Sequence, residues 1–165
     1  MASSAPRRPD PRAVDSVLRA LELVEERMGE EIGAEDMARA ACYSLFYFSR
    51  LFAEATRHAP YDYLMRRRVA EAAEEVVGGS RSLTDIALDR GFGVPDSFAR
   101  AFRRCFGLLP SEARKRGSFP RAIARTRIER SYVEAMLEGA VSPPTRVALE
   151  GAALLGRWEG RDSPP

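Results

Sequence analysis

The sequence predicts an all-α fold, on three observations. Apolar residues recur at helical spacing almost from the start, prolines and glycines fall where helices begin and end, and the chain repeats itself once at an offset of 49–50 residues. Strand signals are scarce before residue 140. With 165 residues and 45% hydrophobic content there is material for a buried core, so global disorder is excluded.

The elements follow in order. Residues 1–12 are expected to form a disordered start, within which Asp10 can cap a first helix and Pro11 can open it. Val14, Val17, Leu18, Leu21, Val24 and Met28 mark one buried face, and Gly29 to Gly33 breaks the pattern. A short helix follows over Ala34 to Ala40, with Met37 and Ala38 inward. Ser44 caps a helix over Leu45 to Thr56, whose inner face is Phe48, Leu51 and Phe52. Pro60 opens a longer helix to about Val77, and Gly78-Gly79 ends it. Ser82 caps a short helix over Leu83 to Asp89, with Ile86 and Ala87 inward. Gly91 turns the chain. Pro95 begins a helix to about Phe106 with Phe98, Ala101, Phe102 and Phe106 on one face, and Pro110 starts a last short helix.

The repeat gives these elements a shared design. Met37-Ala38 matches Ile86-Ala87 and Tyr43 matches Phe92. After a one-residue insertion, Phe48, Arg50, Phe52 and Pro60 match Phe98, Arg100, Phe102 and Pro110. Each copy reads as a helix-turn-helix: a small alanine lets the second helix cross close to the first, and an aromatic plugs the corner. The second helix then turns its phenylalanines inward and polar residues outward, a presentation that fits a DNA major groove. Two helical hairpins without a nucleic-acid role are the plainer alternative.

Charge supports contact with an anionic partner by its clustering, not its sum. The net charge is +2, but bases gather at Arg66-Arg67-Arg68, at Arg100, Arg103 and Arg104, and at Arg114-Lys115-Arg116. These clusters also fit ordinary solvated faces. No apolar run approaches the ~18 residues of a membrane span, and the N-terminus lacks the apolar segment of a secretory signal. Two separated cysteines, Cys42 and Cys105, suit a reduced, cytoplasmic setting. His58 is the only histidine and there is no glycine-rich phosphate loop, so no enzyme, cofactor or metal site is expected.

The second copy reads Leu83-Thr84-Asp85-Ile86-Ala87-Leu88-Asp89-Arg90-Gly91-Phe92, then Ser97-Phe98-Ala99-Arg100-Ala101-Phe102-Arg103-Arg104-Cys105-Phe106-Gly107-Leu108-Leu109-Pro110. The first carries Tyr43-Ser44, Phe48-Ser49-Arg50-Leu51-Phe52, Pro60 and Tyr63-Leu64. Together, from about Val14 to Gly117, they resemble the DNA-binding domain of the bacterial AraC/XylS transcriptional regulators. The resemblance implies about seven helices within residues 13–117: one helix-turn-helix at about 33–56, a linker helix at about 60–77 and a second unit at about 82–106. It also implies an activator that reads double-stranded DNA as a monomer in two successive major grooves, with RNA polymerase as a second partner and no membrane. A helical protein-interaction module derived from the same fold is the competing reading.

Carried over position by position, the resemblance assigns base reading to Phe46, Ser49 and Arg50 in the first unit and to Asp96, Ser97 and Arg100 in the second. Arginine can grip guanine bidentately, phenylalanine can meet a thymine methyl, and serine can reach either kind of base. Phe46 could instead pack in the core, Asp96 could serve the helix dipole in the first turn, and Arg100 could clamp a phosphate. Arg66, Arg67, Arg103 and Arg104 are phosphate candidates. Arg68 could pair with Glu71 or Glu75. Two departures stand out: relatives tend to carry glycine where this chain has Cys42 and Arg57, which predicts strain in the first unit. The extension at 118–165 is expected to hold an amphipathic helix over Ala122 to Gly139, then irregular chain or short strands near Arg146 to Trp158. Its role is open between a truncated remnant, a docking element and a frameshifted end.

Overall fold

A computed structural model describes residues 10–120 and 127–139. It contains eight helices and no strand among those residues: α1 (Pro11–Arg27), α2 (Ala34–Ala40), α3 (Leu45–Thr56), α4 (Pro60–Gly78), α5 (Leu83–Asp89), α6 (Pro95–Phe106), α7 (Pro110–Arg116) and α8 (Arg130–Leu137). The caps are those the sequence sets out. The Asp10 carboxylate accepts from the Arg12 amide with Pro11 in the first turn, and Ser44 and Ser82 accept from the amides of Tyr47 and Asp85. Helix begins at Pro11, so the last residues of the expected disordered start are ordered by that cap.

Two cores share α4. The first gathers α1, α2, α3, the start of α4 and α8 around Val17, Leu21, Met37, Phe48, Phe52, Tyr63 and Leu64. The second gathers the rest of α4 with α5, α6 and α7 around Val69, Ala73, Ile86, Phe98, Phe102 and Phe106. Met65 packs against both. The α6 phenylalanines run as a ladder, Phe92 to Phe98 at 5.2 Å, Phe98 to Phe102 at 5.7 Å and Phe102 to Phe106 at 4.8 Å between ring centroids. Phe92 plugs its corner as expected. Tyr43 does so only in part, because its ring leans out onto Tyr47 at 4.7 Å.

The extension helix is shorter than its apolar pattern. Residues 127–129 are not helical, and α8 starts at Arg130 after an extended Glu129. Val133 enters the first core with Leu137 packed against it, α8 lies against α1 and α3, and Arg130 pairs with Asp15 at 2.9 Å. The strands considered near Arg146 to Trp158 lie outside the described residues.

Arg68 ties the two units together. Its Nε donates to the Met28 carbonyl at 2.7 Å and its Nη1 to the Gly91 carbonyl at 3.0 Å, while Nη2 donates to the Glu30 carbonyl. Met28 and Glu30 belong to the first unit and Gly91 to the second turn. The expected pairing with Glu71 or Glu75 is therefore replaced by three backbone carbonyls. A second close approach lies beside it: a β-carbon on Gly29 would sit 2.8 Å from the Asp89 carbonyl oxygen. The two helix-turn-helix units are thus joined through the shared α4 and through the contact of the 28–30 turn with residues 89–91.

Candidate nucleic-acid interface

In the first unit, Ser44 turns the chain and starts α3, which buries Phe48, Leu51 and Phe52. At helical spacing this leaves Phe46, Ser49 and Arg50 on the opposite face. Phe46 is 76% exposed, so its ring is not core. Arg50 is exposed and lays its guanidinium over the Phe46 ring at 5.9 Å, a cation–π contact that pre-arranges the pair. Leu45 and Tyr47 are exposed as well, giving the start of α3 an apolar surface of a kind that soluble helices normally hide.

In the second unit, Pro95 opens α6 and Asp96 lies exposed in its first turn, where a carboxylate suits the helix dipole. The Ser97 hydroxyl donates back to the Val94 carbonyl at 2.7 Å, so it is held at the helix start. Arg100 is exposed one turn further on. Among the described residues neither Arg50 nor Arg100 forms an ion pair with an acid. Arg103 is exposed and Arg104 half-buried on the following turn.

The linker arginines do not meet their expectation. Arg66 and Arg67, read as phosphate candidates, are 8% and 5% exposed. Arg67 forks onto Glu25 with Nε and Nη2 at 2.7 Å and reaches Glu71 at 2.7 Å, which holds its pKa above the usual range, the Glu25 hydrogen bond first. Two carboxylates leave it no charge to offer a phosphate, and α1 covers it. Arg66 donates Nε to Asp62 at 2.7 Å. Burial raises the Asp62 pKa, but the His58 hydrogen bond and the Arg66 charge prevail and hold it at about 2. The phosphate candidates at the surface are therefore Arg103 and Arg104.

The departures at Cys42 and Arg57 take the form anticipated. Both sit in the left-handed region at φ 60°, where the second copy places Gly91 at 73° and Gly107 at 76°. The first unit keeps the glycine geometry without the glycines. No helix among the described residues is long and apolar enough to cross a membrane, and no cluster of three or more potential metal ligands is found there.

A family model described as a helix-turn-helix domain matches residues 37–116. The regulatory protein SoxS of Escherichia coli (strain K12) is 33% identical over 93 residues, 56% of this chain and 87% of SoxS. The transcriptional activator AarP of Providencia stuartii is 30% identical over 88 residues, 53% of this chain and 65% of AarP. Among solved structures, the DNA-binding domain of the global transcriptional factor AdpA, in complex with a target DNA, matches with a TM-score of 0.55 at 28% identity, covering 65% of this chain and 93% of that one.

Proposed function

This chain belongs to the AraC/XylS family of DNA-binding transcriptional regulators, and from that premise we propose that it reads two successive major-groove segments of one duplex. The helix α3 lies in one groove and α6 in the next, with Phe46, Ser49 and Arg50 reading bases in the first and Ser97 and Arg100 in the second. Asp96 serves the α6 dipole or accepts from a cytosine amine. Arg103 and Arg104 grip phosphates and set register. The observation that carries the reading is the pair of outward helix faces, each bearing an exposed arginine, Arg50 on α3 and Arg100 on α6, on two units joined by the shared α4 and the Arg68 clamp. Successive grooves recur on one duplex face every ~34–36 Å, so a monomer with two rigidly spaced helices has no need of dimer symmetry.

The units are unequal. The first offers an aromatic, a hydroxyl and an arginine; the second puts a carboxylate beside its reading face, which phosphates repel. The first unit therefore supplies most of the sequence discrimination. As a regulator the protein acts as an activator in the cytoplasm, with RNA polymerase as its second partner. A salt titration of duplex binding tests the DNA contact: each phosphate neutralised adds ~0.9 to the negative slope of log affinity against log salt, so about five contacts give a slope near −4.5. A flat salt dependence would overturn the reading.

A further inference from the structure

We propose that the cleft between α4 and α6 is a binding site for a small amphipathic carboxylate, and that its occupation competes with DNA. The competition, though not the binding, rests on the proposed reading role of α6. The cleft has a volume of about 330 Å³, within the ~300–1,000 Å³ of small-molecule sites. Its floor is apolar, built from Met65, Phe92 and Ala101, and Arg66, Arg100 and Arg104 line its sides. Asp62 also faces it, but the Arg66 Nε at 2.7 Å and the His58 Nδ1 at 3.5 Å oppose that carboxylate. Arg68 forms part of the wall, and the carbonyls that hold it carry no charge to cancel its own. The lining is thus net positive around a hydrocarbon floor.

Each half of that chemistry selects a part of the ligand. Planar guanidinium groups suit a carboxylate, which they bind through paired hydrogen bonds. A half-enclosed site with apolar walls strengthens that attraction over its value in water. A bare phosphate, whether free or on DNA, would satisfy the arginines and leave the floor wet. A single carboxylate on an aromatic or short alkyl body satisfies both. Ser97 and Arg100 line the same cleft, so an occupant takes up the reading face of the second unit.

The test is calorimetric titration of the full chain with 4-phenylbutyrate, its neutral amide and inorganic phosphate. The expected result is saturable one-to-one binding of the acid, at least tenfold weaker binding of the amide, and none of phosphate at the same concentration. Ala101→Leu, which extends a side chain over the floor, should weaken the acid at least tenfold while circular dichroism and duplex affinity without the acid stay as in the wild type. Saturating acid should weaken duplex binding at least tenfold. Equal binding of phosphate and acid, insensitive to Ala101→Leu, would overturn the proposal and leave only a contact for the DNA backbone. Binding of the acid with unchanged duplex affinity would overturn the competition. Duplex selectivity measured without the acid tests the reading role of α6 separately.

Discussion

Replacing Arg68 with methionine keeps most of the side-chain volume and removes three charge-assisted hydrogen bonds. Each such bond contributes about 1.5–3 kcal/mol, and an orphaned buried carbonyl costs about 1–3 kcal/mol. The full sum is not reached, because Glu30 is exposed and water can serve its carbonyl, and because methionine buries apolar surface in return. A net loss of about 3–5 kcal/mol remains. Against a typical domain stability of ~5–15 kcal/mol this leaves each core folded but weakens the joint between them. The tyrosines separate the two: Tyr43, Tyr47, Tyr61, Tyr63 and Tyr132 all lie on the first unit or the start of α4, whereas backbone circular dichroism follows both. In urea, wild-type tyrosine and backbone transitions should coincide, and those of Arg68→Met should separate. A loss below about 1 kcal/mol with transitions still coincident would refute the clamp.

Three further outcomes follow from the same geometry. Cys42→Gly and Arg57→Gly should each raise stability by about 0.5–1 kcal/mol, since relief of a left-handed β-carbon at about 1–2 kcal/mol exceeds the unfolded-state entropy that glycine adds; Gly91→Ala should instead lower the melting point sharply, because its β-carbon would lie 2.8 Å from the Arg68 Nη2. Asp62 has a folded pKa of about 2 against an ordinary 3.8, so its contribution is present above about pH 4 and lost as pH falls through 2; Asp62→Asn should cost about 1–2 kcal/mol at pH 7, after allowance for solvent screening, and flatten the acid limb of the stability curve. Arg103→Gln should weaken all duplexes alike and reduce the salt slope by about 1, while Arg67→Gln should lower stability and leave that slope unchanged.

The helices were legible because their signals are local: capping serines, prolines at first turns and phenylalanines at helical spacing all act within a few residues. The family resemblance extended that reach, since the glycines of relatives at the positions of Cys42 and Arg57 predicted strain there, and both residues take the left-handed geometry that Gly91 and Gly107 take in the second copy. The arginine run 66–68 was not legible. Three adjacent cations look like a solvated patch, and what buries them, Glu25, Met28, Glu30 and Gly91, lies 23 to 42 residues away in sequence. Only two of their partners are local, Asp62 one turn before Arg66 and Glu71 one turn after Arg67. The docking of α8 was equally hidden, because an apolar stripe says that a helix is covered but not by which neighbour. The exposed Phe46 could be anticipated only because Phe48, Leu51 and Phe52 already fill the inner face of α3.

The central claim is that two rigidly spaced helices read two elements of one duplex. The most direct measurement is selection of bound duplexes from a random library by the wild-type chain and by Arg50→Ala in parallel. The account predicts a bipartite motif with its elements about one helical turn apart, ~10–10.5 base pairs, and loss of the one element that α3 reads in the variant. At that element Arg50→Ala should cost about 1–3 kcal/mol of discrimination. The absence of any enriched motif at moderate salt, or a motif unchanged by Arg50→Ala, would contradict it.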